Sequence, residues 1–561
     1  MPRSPLFHLV SRSLRLARLS LRTGVPADEL VERRREGAAG GGTGLLDAAG
    51  RPISRRRFVA VSAGAAAVAT LDGCLPSAPA GGPPAPDAGG RPVVIVGAGI
   101  AGLTAAWRLR QAGVPVRLFE AQERIGGRMF SLRGAFPEGQ VIELGGELID
   151  TGHARIRALA AELGLELDDL STDDPALAQE VWWFGGRRRT DAEVVEAFRP
   201  VAAAIERDLA SLENDGDVTH EQPGGGEALD RMSIAEWLDA RGVSGWVRTL
   251  LEVGYTTEFG LEPDRQSALN LLTMIGTDAD DFAIFGESDE RFHVRGGNDR
   301  ITTALGQRVG GAIEPGHVLE SVAARADGAY VCSFARGATT VSVVADQVLL
   351  ALPFTLLRDV RLDVELPPAK RQAIAELGYG TNAKLMVAFD ERVWRTRHGS
   401  NGSSLTDLPY QLTWETTRLQ PGRAGALTNF TGGRHGERLG EGTPAEQAAA
   451  LVDALEAVYP GVRAARAGMP EARFHWPSHP WTRGSYASYL PGQWTAFRGV
   501  EGAAVDDLHF AGEHCSLEAQ GFMEGGCETG ERAAAEILAR RGARRTGALP
   551  APRGEPRRLV A

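Results

Sequence analysis

Four apolar residues, Val93-Val94-Ile95-Val96, run directly into Gly97-Ala98-Gly99-Ile100-Ala101-Gly102. An apolar run bounded by glycine reads as a buried parallel strand, and the three glycines turn it into a helix. Gly97 permits the tight turn, Gly99 lets the backbone approach a pyrophosphate, and Gly102 lets the helix pack closely on the strand, with Ala101 beside it. Phosphate oxygens would meet the N–H groups at the helix start, where the helix dipole favours negative charge. Ala106 and Gly113 fall where the helix must pack and then stop. Val116-Arg117-Leu118-Phe119 reads as the second strand, and Glu120 ends it, where a carboxylate accepts hydrogen bonds from an adenosine ribose. In a chain with 70 glycines the motif alone says little. The strand, the helix and the carboxylate around it make it a dinucleotide site.

The next residues narrow the nucleotide. Glu123-Arg124-Ile125-Gly126-Gly127-Arg128 adds a second glycine pair directly after the ribose carboxylate. It resembles the flavoprotein arrangement in which this pair and its arginine lie along the FAD pyrophosphate and flavin. No second G-x-G-x-x-G follows, so electrons are expected from an organic substrate rather than from NADPH.

The 561 residues are enough for two domains or one interleaved pair, and the ends look separate from them. Ser54-Arg55-Arg56-Arg57-Phe58-Val59 has the twin-arginine pattern, followed by an alanine-rich apolar run to Leu71 that is too short to span a bilayer but suits an export signal. Leu71-Asp72-Gly73-Cys74 resembles a lipoprotein cleavage site with Cys74 as lipid acceptor. Cleavage near Ala78-Pro79-Ala80 is the competing expectation. Residues 1–90 are thus expected to be a twin-arginine signal region and a Pro/Gly/Ala linker, addressed to the twin-arginine export machinery and carried across a bacterial cytoplasmic membrane to the periplasm or beyond. Residues 541–561 read as a disordered Arg/Pro-rich tail. A net charge of −11 gives no basic nucleic-acid footprint. Cys74, Cys332, Cys515 and Cys527 form no C-x-x-C, no metal site is expected, and Cys515 and Cys527 are expected to be unpaired thiols.

Past the second glycine pair, Val141-Ile142-Glu143-Leu144-Gly145-Gly146-Glu147 reads as a strand entering a flavin-facing turn. Residues 153–290 look mostly helical, with Ile156, Leu159, Ala160 and Leu163, and Ile234, Trp237 and Leu238, at helical spacing. His293-Val294-Arg295-Gly296-Gly297-Asn298 brings the chain back to the nucleotide side. Val318–Val322, Tyr330–Phe334 and Val341–Val344 alternate as antiparallel strands. Asp346-Gln347-Val348-Leu349-Leu350-Ala351-Leu352-Pro353 reads as a buried strand ending in proline, and a helix is expected near Pro444–Val458 and another from Gly525 to Leu538.

Phe510-Ala511-Gly512-Glu513-His514, Gly521-Phe522-Met523-Glu524-Gly525 and Gly530-Glu531-Arg532-Ala533-Ala534 closely resemble the C-terminal flavin segment of the flavin amine oxidases, the group of monoamine, polyamine and L-amino-acid oxidases. The resemblance runs from about Arg91 to Arg540. It implies an α/β, two-domain architecture: a glutathione-reductase-type FAD-binding Rossmann domain (91–152, 290–362 and 480–540) interleaved with a helix-plus-mixed-sheet substrate domain (153–289 and 363–479). FAD contacts are implied at Gly97, Gly99, Ala101, Gly102, Glu120, Gly126, Gly127, Arg128, Gly145, Gly146, Glu147, Val318, Pro353, Gly512, Glu513, Gly521, Phe522 and Met523.

Only two lysines, Lys370 and Lys384, stand against 59 arginines. A lysine amine is compact and tunable where arginine is planar and permanently charged. In Gly380-Thr381-Asn382-Ala383-Lys384-Leu385, Lys384 matches the family lysine that holds a water beside the flavin, while Lys370, after Pro367-Pro368, reads as an ordinary helix-start residue. Trp481 opens a segment that resembles the one passing under the flavin, and Tyr486 and Phe522 match the family's aromatic cage. Ser485 stands where monoamine oxidase has its FAD-bonding cysteine, so FAD should be noncovalent. The implied reaction takes hydride from the carbon bearing a neutral amine. Water then hydrolyses the imine to a carbonyl compound and ammonia, and O2 is reduced to hydrogen peroxide. The expected substrate is a small-molecule L-amino acid or primary amine. Polyamine oxidation is an alternative, and an exported FAD-binding protein without turnover is an alternative of another kind. Arg133, Arg155 and Arg295 are the arginines considered for a substrate carboxylate, and a homodimer is the assembly considered.

Overall fold

The computed structural model describes residues 91–213, 218–274 and 289–545. The twin-arginine motif, Cys74 and the proline-rich linker lie outside the described residues.

The expected strand–turn–helix opens the fold. β1 (Val93–Val96) is buried along its whole length, α1 (Ile100–Gln111) follows, and β2 (Val116–Phe119) returns parallel to β1. Two glycines are dictated by this geometry. Gly97 has φ +101° and a Cβ there would lie 2.6 Å from the Ala351 carbonyl oxygen, while a Cβ at Gly102 would lie 2.0 Å from the Gly97 oxygen. Five strands form one parallel sheet in the order Leu508–Phe510, Val348–Leu350, β1, β2 and Ile313–Glu314. Its members come from both ends and the middle of the chain, as an interleaved architecture requires. Apolar side chains from β1, α1, β2 and the C-terminal helix fill one core.

The strands expected after residue 318 form the antiparallel ladder Val318–Ala324, Tyr330–Arg336, Thr339–Ala345, with Arg361–Asp363 added parallel at its edge. A second large sheet has seven strands in the order Glu471–His475, Ala383–Phe389, Gly425–Thr431, Leu412–Glu415, Ser404–Thr406, Val181–Phe184, Arg187–Arg189. The last two correct the expectation of a mostly helical 153–290. They form an antiparallel hairpin across Gly185-Gly186, both at positive φ, that docks parallel on Ser404–Thr406. A two-residue Gly-Gly turn after the apolar run Val181-Trp182-Trp183-Phe184 is a hairpin signal.

The helices around that hairpin are as the periodicity indicates. Ala154–Glu162 and Ile234–Ala240 bury Ile156, Leu159, Ala160, Ile234, Trp237 and Leu238. The helix expected near Pro444–Val458 spans those residues, entered through a capping box between Thr443 and Glu446. The last helix differs at both ends. It starts at Met523 and continues to Arg545, five residues into the stretch expected as a disordered tail.

Candidate active site

The turn between β1 and α1 opens on a cleft. It is lined by Gly97, Gly99, Ala101, Glu120, Gly126, Gly127 and Arg128 from the N-terminal segment and by Val318 and Pro353 from the middle. Trp481, Gly512, Glu513, Phe522 and Met523 complete it from the C-terminal region. Motifs nearly four hundred residues apart in sequence therefore share one cavity. A Cβ on Gly99 would meet nothing within 4 Å, and one on Gly127 would lie 3.2 Å from the Gly99 Cα. The two glycine pairs thus abut and present bare backbone. α1 begins with no side-chain cap and no acidic residue in its first turn, leaving its positive end for an anion. A glycine cradle, a helix start and a carboxylate at the end of β2 suit a dinucleotide, and the residues present fit FAD.

Glu120 is 7% exposed. Its Oε2 accepts from the Ala98 amide at 2.8 Å and its Oε1 from the Gln122 amide at 2.9 Å, so it also ties β2 to the glycine turn. Burial pushes its carboxyl above the ordinary value, against those hydrogen bonds. Across the cleft, Arg128 Nη1 donates to the Ser485 carbonyl at 2.7 Å and to Glu513 Oε1 at 2.8 Å. Glu513 Oε2 also accepts from the Gly521 amide at 2.9 Å, which places Gly521 behind the lining rather than in it. Burial pushes the Glu513 carboxyl up, but the Arg128 guanidinium, together with lesser contributions such as that of His514, holds the group below the usual carboxylate value. The Ser485 hydroxyl donates to Asn382 Oδ1 at 2.6 Å.

A second cluster lies apart from this lining. Lys384 is fully buried in the strand Ala383–Phe389. Its Nζ donates to Glu147 Oε2 at 2.7 Å, to the Gly145 carbonyl at 2.9 Å and to the Glu143 carbonyl at 3.2 Å, and lies 5.2 Å from the centre of the Trp414 ring. Trp414 Nε1 donates to the other Glu147 oxygen at 2.8 Å. Glu147 and Gly145, expected as FAD contacts, therefore meet Lys384. Gly146 packs under Met523, whose Sδ would lie 2.7 Å from a Cβ there, and Gly102 packs under the turn. Tyr486, also outside the cleft lining, is 1% exposed. Its hydroxyl donates to the carbonyls of Glu258 and, at 3.3 Å, Thr257. Phe522 faces the cleft and carries His153 edge-on, with ring centres 4.8 Å apart.

Sequence reasoning missed His317, which lines the cleft beside Val318 and donates its amide to the Glu120 carbonyl at 2.8 Å. It also missed Trp414 and the pairing of Glu147 with Lys384, for which no local motif gives a signal. Lys370, expected as an ordinary helix-start residue, is 1% exposed. Arg133, Arg155 and Arg295 all lie at the surface, paired with Asp299, Glu531, and Glu166 and Asp168. None of the three faces the cleft. Cys515 and Cys527 are free and buried, as expected, and burial pushes the Cys515 thiol up to about 12.

Comparison with known proteins agrees with this geometry. The family model for flavin containing amine oxidoreductases matches residues 100–538. An L-amino acid dehydrogenase of Synechocystis is 27% identical over 463 residues, covering 79% of this chain and 94% of the relative. The pig flavin-containing amine oxidase A is 26% identical over 466 residues, covering 80% of this chain and 84% of the relative. Among solved structures, cyclohexylamine oxidase from Brevibacterium oxydans superposes with a TM-score of 0.70 at 23% identity, covering 80% of this chain and 99% of the other. Putrescine oxidase bound to putrescine gives 0.68, also at 23% identity and with the same coverage. With the family model matching residues 100–538, most of the chain, the protein belongs to the flavin containing amine oxidoreductase family.

Proposed function

We propose that the cleft holds FAD noncovalently and that the protein oxidises the CH–NH2 group of a small-molecule primary amine or L-amino acid, with O2 as the electron acceptor. The observation that carries this reading is the single cleft in which the Gly97–Gly102 turn and Glu120 face Arg128, Glu513 and Phe522. When bound, FAD supplies the two-electron chemistry. The protein's residues bind and orient. Gly97, Gly99, Gly126 and Gly127 admit the pyrophosphate at the start of α1, and Glu120 retains acceptor capacity for a ribose hydroxyl. The Arg128–Glu513 pair fixes the far wall. Ser485 cannot form a thioether, which supports noncovalent attachment.

Lys384 brings a positive charge to a buried position and is held there by one carboxylate and two carbonyls. A preorganised charge of this kind costs no reorganisation during reaction. Tyr486 and Phe522 supply apolar faces that would exclude water from the reacting carbon. The imine formed hydrolyses in water to a carbonyl compound and ammonia.

Acid precipitation of the purified yellow protein should release the flavin into the supernatant, and flavin left on the polypeptide would overturn noncovalent binding. A peroxide-coupled screen of amines and L-amino acids should give one peroxide per substrate oxidised. The relative named L-amino acid dehydrogenase supports a second reading, with an acceptor other than O2. Flavin reduction by substrate without peroxide would favour it. We also propose export through the twin-arginine route, supported by Ser54-Arg55-Arg56-Arg57-Phe58. An R55K/R56K precursor should then stay in the cytoplasm.

A further inference from the structure

Behind the cleft wall, the turn over residues 143–147 sits between the lining and Lys384. On one side it presses on Arg128 and Met523, which line the cleft. A Cβ at Gly145 would lie 1.9 Å from the Arg128 carbonyl oxygen, and the Gly146 amide donates to that oxygen at 3.0 Å. On the other side the turn supplies three acceptors to Lys384: the Glu147 carboxylate and the carbonyls of Gly145 and Glu143. An ammonium has three N–H donors, so the Lys384 charge is held from three directions, all of them set by this turn.

Asn298, fully buried, holds the turn in shape. Its Nδ2 donates to the Gly146 carbonyl at 3.0 Å and to the Glu147 carbonyl at 2.6 Å. Its backbone amide donates to Glu143 Oε1 at 2.8 Å, and its Oδ1 accepts from the Val294 amide at 2.8 Å. The Glu143 carboxylate is met in turn by the Ser131 hydroxyl at 2.8 Å and by His293 Nε2 at 3.0 Å. Trp476 Nε1 donates to the Leu144 carbonyl at 3.0 Å. The carbonyls of 143 and 145 therefore face Lys384, that of 144 faces Trp476, and those of 146 and 147 face Asn298. One side chain decides which way two peptide units point. Without it, two buried carbonyls lose their donors, a state that buried backbone avoids. Glycines at 145 and 146 leave the turn free to rearrange, and the Lys384 acceptors would move with it. Asn298 does not line the cleft, so it reaches the chemistry through the turn.

We propose that Asn298 is a positioning residue for the oxidation: through the turn over residues 143–147 it fixes the Lys384 ammonium, and with it the rates of the flavin half-reactions. The inference rests on the reading of Lys384 as a charge that serves the chemistry, and extends it to a residue one step removed. Asn298→Ala is made in the wild type and in K384M/E147Q, where the pair it acts on is gone. Flavin-loaded protein is followed in stopped-flow in two arms, dithionite-reduced enzyme against O2 and oxidised enzyme against the best substrate of the peroxide screen. In the wild type the substitution should slow one or both steps about tenfold or more at unchanged FAD content. In K384M/E147Q it should slow them by no more than about twofold. A residue that merely stabilises the fold would slow both backgrounds by the same factor. Asn298→Ser keeps one hydroxyl donor and should recover part of the loss. The same comparison is read from it where the alanine variant does not load FAD. Equal slowing in the two backgrounds, or unchanged rates in both arms for a loaded Asn298 variant, would overturn the inference and leave the role of Lys384 standing. K384M/E147Q running at the rates of Glu147→Gln alone would overturn both. Should no compound in the screen reduce the flavin, the amine-oxidising reading falls, while the O2 arm still decides the role of Asn298.

Discussion

Lys384 and Lys370 are both buried, yet their surroundings treat the charge in opposite ways. Lys384 makes three hydrogen bonds, one of them to the Glu147 carboxylate, from the second strand of a seven-stranded sheet. Lys370 is 1% exposed in the helix Pro368–Glu376. It donates to the Glu501 carbonyl at 2.8 Å and lies 4.0 Å from the centre of the Phe510 ring. The Glu501 carboxylate itself is turned to Tyr489, whose hydroxyl donates to it at 2.8 Å. Burial pushes the Lys370 amine down to about 8 and the Glu501 carboxyl up to about 7. Rarity of lysine in the sequence therefore marks burial in both cases, while a carboxylate partner marks only Lys384 as a charge built to stay in place.

Breaking the Lys384 pair should have the largest effect. Lys384→Met leaves Glu147 buried without its cation, which costs about 3–5 kcal/mol. Adding Glu147→Gln should recover at least about half of that in urea melts, because the orphaned charge is then gone. Next in size, Arg128→Met on the nucleotide side strips Glu513 of its guanidinium and should weaken FAD retention by about ten- to a hundredfold, read by the fluorescence of flavin released on dilution.

Lys370→Met sharpens the comparison by contrast. Replacing a buried charge that has no side-chain ion pair should be neutral or stabilising near pH 7. The sign with pH follows from the lowered amine. Between about 8 and the ordinary lysine value of 10.5, the unfolded chain holds a proton that the folded chain has released. Stability from this group is therefore lowest below pH 8 and rises with pH through that window, and the rise should vanish in Lys370→Met. The smallest effect lies away from both lysines. Thr443→Ala removes the cap of the helix Pro444–Val458 and should cost about 1 kcal/mol with FAD content unchanged.

The nucleotide side was legible because backbone geometry there demands particular residues. Gly97 and Gly102 cannot carry a Cβ, and Glu120 must stand at the end of β2. The substrate side was less so. The hairpin Val181–Arg189 was hidden in a segment dominated by helical periodicity, although Gly185-Gly186 announced it. Lys370 read as an ordinary helix-start residue, and its burial was hidden because a proline-led helix start says nothing about which face will be covered. The pairing of Lys384 with Glu147 and the reach of Asn298 to Glu143 and Glu147 join residues far apart in sequence. Such contacts follow from packing, and neither spacing nor composition carries them.

That Lys384 serves the chemistry rather than the fold is tested most directly by the K384M/E147Q double variant, compared with E147Q alone in anaerobic and aerobic stopped-flow. The double substitution removes the ammonium without stranding a buried carboxylate, so the protein should fold and load FAD. Flavin reduction by substrate, reoxidation by O2, or both, should be slowed about a hundredfold or more relative to E147Q. Both half-reactions running at the E147Q rates, with normal FAD content, would contradict the account and make Lys384 a structural lysine like Lys370.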